Sequence, residues 1–177
     1  MKIILVFVAS LDGKVTKWGH PMVSKWSSVE DQRYFTGIIK NARLVVMGSN
    51  TFNADPIKPL TNRLMIIMTR YPEKYRNFEI EGQIIFSAKS PSELTHYYKG
   101  EGYEEMVVVG GPHIATSFLK EQMIDEIWLT VEPLIFGIGA NFVIEEKLDI
   151  RLQLLSSEII NARGTLINKY AIIRKST

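Results

Sequence analysis

Met106-Val107-Val108-Val109-Gly110-Gly111-Pro112-His113-Ile114 is the stretch on which the fold reading turns. Four apolar residues, three of them β-branched, are too few for a buried helix and suit a strand covered on both faces. Gly110-Gly111 then opens conformations closed to other residues and leaves no Cβ between the backbone and a ligand. Pro112 suits a helix's first turn, and Ile114, Phe118 and Leu119 supply its apolar face. The unit reads as strand, glycine turn, helix. The free N–H groups at such a helix start attract phosphate, so a nucleotide diphosphate is the natural guest. By itself the pair is equally compatible with a tight turn that binds nothing.

Outward from this unit, the chain alternates strands and helices. Lys2 to Ser10 reads as a central strand, and Leu11 to Lys25 as a lid or a disordered connection. Ser27 or Ser28 caps a helix whose apolar face carries Val29, Tyr34, Phe35, Ile38 and Ile39, with Glu30 and Asp31 in its first turn. Arg43 to Met47 is a second strand; Gly48, then Ser49, Asn50 and Thr51, repeat the order strand, glycine, helix start. Two such ends suit the two halves of a dinucleotide. Strands follow at Leu64 to Thr69, Gln83 to Phe86 and Asp125 to Val131, with a Ser90-capped helix to about Tyr98 and a polar surface segment to Gly82. Ile150 to Ile160 and Leu166 to Arg174 close the chain as an antiparallel hairpin. The expected fold is a single α/β domain over 1–177, a predominantly parallel sheet with helices on both faces and that hairpin at its end.

Composition removes several functional classes. With 177 residues and a formal charge of +2, the chain is long enough for one well-buried domain and short for two, and carries too little positive charge to suggest nucleic acid. The absence of cysteine excludes disulfides, thiolate catalysis and cysteine metal sites, and His20, His96 and His113 show no ligand spacing, so no metal is expected. The apolar start resembles a leader only superficially: it is short, β-branched and runs into the turn signal Asp12-Gly13. No segment has the length of a membrane span, and a cytoplasmic protein is the default expectation.

Several motifs, in this order, resemble the dihydrofolate reductase superfamily, which also contains the reductase domain of riboflavin synthesis. RLVVMGSNTF at 43–52 resembles its strand and MGxxT turn, and PLTNR at 59–63 its PLxxR. Val109-Gly110-Gly111 resembles its Gly-Gly turn, and Ile127 to Thr130 the strand that follows. The resemblance implies hydride transfer from a reduced nicotinamide, with the protein supplying orientation, electrostatics and a proton source. It implies that Gly48, Ser49, Asn50 and Thr51 hold one side of the dinucleotide. Val109, Gly110, Gly111, Pro112, His113 and Ile114 hold the pyrophosphate, and Val15 in the lid adds to the cofactor set. Thr69 and Arg70 stand where family members hold the 2′-phosphate, so NADPH is expected over NADH. Ser49 replaces the arginine that frequently follows Met-Gly, which weakens the phosphate clamp.

On the substrate side, Trp26, Asp31 and Phe35 resemble the dihydrofolate reductase spacing of tryptophan, pterin-binding carboxylate and aromatic wall, and Thr130 the threonine that meets the acid. The resemblance makes Asp31 and Thr130 the catalytic pair, with Val8, Ala9, Trp26, Phe35, Asp55 and Arg63 around a pterin or pyrimidine substrate. The residue-level alternative is that Asp31 or Glu30 decorates a helix start and Thr130 fills a strand. Residues 9–15 (ASLDGKV), Asp55-Pro56 with Leu60, Thr61 and Arg63, and 123–137 resemble the riboflavin-pathway reductase, which acts on 5-amino-6-(5-phosphoribosylamino)uracil. Against that reading, its helical substrate-phosphate arginine is Ile39 here, and the 177 residues contain no deaminase domain. The expectation is therefore reduction of 7,8-dihydrofolate, with the riboflavin-pathway reaction as alternative and a non-catalytic nucleotide-binding protein as a second one. The resemblance leaves monomer and homodimer open.

Overall fold

The computed structural model describes residues 1–54 and 57–174. Strands β1 (Lys2–Ser10), β2 (Leu44–Gly48), β3 (Leu64–Met68), β4 (Ile84–Ser87), β5 (Glu105–Val108), β6 (Glu126–Glu132), β7 (Arg151–Ile159) and β8 (Leu166–Ile173) form one sheet in the order β4-β3-β2-β5-β1-β6-β8-β7. Every contact from β4 to β6 is parallel, and β8 pairs antiparallel with both β6 and β7. This is the expected architecture. The central strands are apolar at consecutive positions because both of their faces are covered.

Alternation along those strands sorts the core into two halves. Ile3, Leu5, Leu44, Val46 and Ile66 pack with α3 (Pro91–Gly100) and α4 (Pro112–Lys120), where Leu94, Ala115 and Phe118 are buried. Ile4, Val6, Val45, Met47 and Ile67 pack on the other face with α1 (Val29–Asn41), around Ile39 and Ala42. A short α2 (Ser49–Ala54) follows β2 directly. Ser28 and Ser90 cap α1 and α3 through their hydroxyls, and Ser90 forms a full capping box with Glu93.

One expectation needs correction. Val29 does not face the core; it is 55% exposed, while Asp31 is buried. Asp31, Phe35 and Ile39 fall on one line at i, i+4 and i+8, and that line, not the one through Val29, meets the sheet. The polar surface segment after β3 contains a 3-10 helix over 72–78, whose Tyr75 stacks on Phe86 with ring centroids 4.7 Å apart.

The loop 11–25 is ordered and clamped to 134–142. Main-chain bonds run from Leu11 N to Leu134 O, Val15 N to Ala140 O and Trp18 N to Ile138 O. Asp12 accepts from Phe136 N (3.1 Å) and Gly137 N (2.8 Å), and Thr16 Oγ1 accepts from Ala140 N (2.7 Å). The Ser10 hydroxyl, 2.6 Å away, leads the causes that hold the Asp12 carboxyl down at about 2. At the far edge, β7 is exposed along its whole length, Leu152, Leu154 and Leu155 included.

Candidate active site

The glycine turns meet at the carboxyl edge of the sheet, where open α/β folds bind ligands. Gly48 N donates to Gly110 O at 2.9 Å, and Val109 N donates to Val46 O at 2.9 Å, so the end of β2 and the segment after β5 are locked side by side. The Gly110-Gly111 peptide is cis, and Gly110 has φ +118°, a region that side-chain-bearing residues rarely enter. A Cβ on Gly48 would stand 2.9 Å from Ile114 Cγ1, and one on Gly111 would stand 3.3 Å from Thr51 Oγ1. Absent side chains therefore allow the two turns, Thr51 and the start of α4 to converge. The N–H groups of His113 and Ile114 lie in the first turn of α4 and have no intrahelical acceptor.

This cradle suits a dinucleotide pyrophosphate, with Gly48, Ser49, Asn50 and Thr51 on one rim and Gly110 to Ile114 on the other. Below it, Phe7 meets Phe142 edge to face with centroids 5.5 Å apart, and its ring comes within 3.5 Å of the space a Gly110 Cβ would fill. Thr69 and the exposed Arg70 follow the end of β3; the Thr69 hydroxyl accepts from Tyr71 N at 3.2 Å, and the Arg70 guanidinium sits 6.0 Å from the Tyr71 ring. Val15 is 5% exposed beneath the 134–142 loop.

The acid lies on the α1 side. Asp31 is 4% exposed, and its backbone N–H donates to the Ser28 hydroxyl at 3.2 Å. Its side chain meets Thr130 of β6, which is 2% exposed and paired with Val8 of β1. Burial pushes the Asp31 carboxyl up to about 6. Hydrogen bonding from Thr130 and Ser27 opposes that rise, and the nearby charge of Glu132 adds to it. The Ser27 hydroxyl makes no hydrogen bond of good geometry, so its pull is the looser of the two. Trp26 Nε1 is likewise buried without a partner. Burial also pushes Tyr34 up to about 12, with Asp31 contributing.

Of the other expected substrate residues, Phe35 lies one turn beyond Asp31, and Trp26 packs edge to face on Phe136 with centroids 5.1 Å apart. Val8 shares the sheet face of Thr130, whereas Ala9, by strand alternation, points its side chain to the opposite face. Arg63 is 3% exposed and turns away from the acid: Nη1 donates to Ile39 O at 2.9 Å and Nη2 to Lys58 O, which leaves Nε unpartnered. It satisfies a carbonyl near the C-terminus of α1, where a cation is favoured. Asp55 lies outside the described residues.

Sequence reasoning missed Glu132 and Phe7. Glu132-Pro133 reads as a strand breaker, yet Glu132 is 3% exposed and shares the strand face of Thr130, two residues before it. That i, i+2 spacing was the available signal. Among the described residues no group of histidines and carboxylates is arranged to hold a metal, and no helix is long and apolar enough to cross a membrane.

Comparison with known proteins agrees with this fold. The sequence model of the RibD C-terminal domain matches residues 1–166. A pyrimidine reductase-like protein from Corynebacterium diphtheriae is similar with TM-score 0.81 and 13% identity, over 98% of this chain and 92% of that one. A diaminohydroxyphosphoribosylaminopyrimidine deaminase/5-amino-6-(5-phosphoribosylamino)uracil reductase from Thermotoga maritima is similar with TM-score 0.76 and 17% identity. That match takes 97% of this chain but 56% of the two-activity one. Dihydrofolate reductase from Enterococcus faecalis, solved with NADP(H), is similar with TM-score 0.69 and 18% identity, over 98% and 97% of the two chains. At these identities the structural likenesses establish the fold.

Proposed function

The chain belongs to the RibD C-terminal domain family, and on that premise we propose that it is an NADPH-dependent reductase of a pterin or pyrimidine ring. The observation that carries the reading is the buried Asp31–Thr130 pair on one side of the carboxyl edge, with the Gly48 and Gly110 turns on the other. A reduced nicotinamide would supply the hydride when bound. Gly48 to Thr51 and Gly110 to Ile114 would hold it, and Arg70 would favour the 2′-phosphate form.

The chain's own residues do the remaining work. Asp31, in a dry site, accepts hydrogen bonds from the amidine-like edge of the ring and so fixes its orientation. Thr130 holds the carboxyl in place. A carboxyl near 6 exchanges protons close to neutral pH, so it supports protonation of the ring nitrogen through a water. Phe35 walls the ring, and the clamped 11–25 loop limits water access.

The Asp31–Thr130 pair favours dihydrofolate as the ring substrate, and the family match favours the ribosylaminopyrimidine. The inward turn of Arg63 supports no anionic-tail grip in either reaction, so the proposal rests on the ring. Mixing the protein and NADPH with 7,8-dihydrofolate, and in parallel with 5-amino-6-(5-phosphoribosylamino)uracil, and following loss of absorbance at the reduced-cofactor band distinguishes the two. NADPH is expected to exceed NADH by at least about tenfold in kcat/KM, roughly 1.4 kcal/mol. No oxidation with either substrate would overturn the reductase reading.

A further inference from the structure

Beside Asp31 lies a second buried carboxylate that the reductase chemistry does not use. Glu132 Oε1 accepts from Ser28 N at 2.7 Å, and its Oε2 accepts from the Thr165 hydroxyl at 2.7 Å. Thr165 is fully buried, and its hydroxyl accepts in turn from Asn161 Nδ2 at 2.8 Å. Asn161 also reaches Glu30 Oε2 at 3.3 Å, and its Oδ1 accepts from Arg163 N and Thr165 N. Glu132 therefore joins three elements: the capping residue of α1, the end of β6, and the turn between β7 and β8. Burying a carboxylate is costly, and both of its donors here are neutral. Among the described residues no lysine or arginine forms an ion pair with it.

We propose that Glu132 is a positioning residue for Asp31, fixing the first turn of α1 through the Ser28 peptide and presenting its charge on the strand face that carries Thr130. The tether acts at the root of the acid's own helix. Ser28 is bound to Glu132 through its N–H and to the Asp31 N–H through its hydroxyl, so any drift of the cap moves Asp31 relative to Thr130. The charge acts across the same buried face: Glu132 lies two strand residues beyond Thr130, roughly 7 Å along β6, and Thr130 meets the acid. Two like charges in such a space oppose each other, and Glu132 is one of the groups that keep the proton on Asp31.

The other titratable group facing Asp31 is Tyr34, which also faces Glu158 of β7. Lys17, Lys25 and Arg163 face Glu132 across a cavity of about 450 Å³ that Trp26 also lines.

The test is a carbon-13 NMR titration of the aspartate carboxyls, with Asp31 assigned by the signal lost in Asp31→Asn. In Glu132→Gln, whose amide oxygen can still accept from Ser28, the Asp31 midpoint is expected to fall by at least about half a pH unit. An unchanged midpoint overturns the electrostatic half of the proposal. Thr165→Val keeps the charge and removes one donor; it is expected to speed hydrogen exchange at the Ser28 amide by about tenfold or more. Unchanged protection overturns the tether, and this arm stands if Glu132→Gln does not fold.

The proposal rests on the reductase reading only for its consequence, a matching shift in the pH profile of kcat. A shifted titration without any NADPH oxidation would sink the reductase reading and leave the positioning role. Oxidation with an unshifted titration and unchanged Ser28 exchange would do the reverse.

Discussion

Gly139→Ala tests the clamp on the 11–25 loop most directly. Gly139 has no positive φ, so alanine meets no backbone penalty there; the obstacle is contact alone. Its Cβ would stand 2.0 Å from Thr16 O, 3.1 Å from Thr16 C and 3.3 Å from Lys14 Cβ. The nearest of these is main chain, which cannot swing aside as a side chain does. Relief requires the two loops to part by roughly 1 Å, which breaks Ala140 N to Thr16 Oγ1 (2.7 Å) and Val15 N to Ala140 O (2.8 Å).

At about 1 kcal/mol net for each hydrogen bond, the loss is about 2 kcal/mol, reduced by the 0.4–1 kcal/mol or so that alanine gains from a less flexible unfolded chain. The expected net destabilisation is therefore roughly 1–2 kcal/mol. Urea unfolding reads it as a lower midpoint at unchanged slope. Gly37→Ala is the control. Gly37 lies within α1 with nothing inside 4 Å of its Cβ position, so alanine there should stabilise by about 0.5–1 kcal/mol. A Gly139→Ala midpoint at or above that of the wild type would refute the clamped loop, and with it the water exclusion assigned to that loop.

Two further outcomes follow from the carboxyls. Asp31 is raised from 3.8 to about 6 in the folded chain, so the stabilising effect of its proton is fully present below about 3.8 and is lost as pH rises through about 6. Complete loss amounts to at most about 3 kcal/mol. Asp31→Asn should therefore be more stable than the wild type at pH 7.5, by about 1–3 kcal/mol in denaturant, with little difference at pH 4, while turnover falls most near neutral pH. Equal stability at pH 7.5 would show that the acid is not buried. Asp12 runs the other way: its carboxyl is held at about 2, so the clamp it makes persists as pH falls below the usual carboxylate range and weakens only near 2. Asp12→Asn should speed amide exchange at Phe136 and Gly137 severalfold at neutral pH, and unchanged exchange would remove the carboxylate from the clamp.

The strand and helix order was legible because it rests on local physics. Runs such as Leu44 to Met47 and Met65 to Met68 are apolar at every position, as a strand covered on both faces must be. Ser28, Ser90 and Pro112 announce helix starts through hydrogen-bonding and ring geometry that act within one turn. The Gly48 and Gly110 turns were legible for the same reason, since a glycine's freedom belongs to the residue itself. Asp31 and Thr130, ninety-nine positions apart, were paired by resemblance rather than by any local pattern.

Tertiary structure alone decided which side chains those elements bring together. Arg63 reads as an anion grip in a motif, but its terminal nitrogens are taken up by the carbonyls of Ile39 and Lys58, partners no local pattern specifies. Val29 and Asp31 stand two residues apart in one helix turn; only the direction from which the sheet approaches settled that the charged one goes inside. Glu132 reads as the end of a strand until Ser28, 104 residues away, and Thr165, 33 residues away, supply the donors that make its burial tolerable. Residue type and spacing determined the elements, because those forces act over a few bonds. The environment of each ionisable group was decided by the packed chain, because desolvation and hydrogen bonding depend on neighbours far away in the sequence.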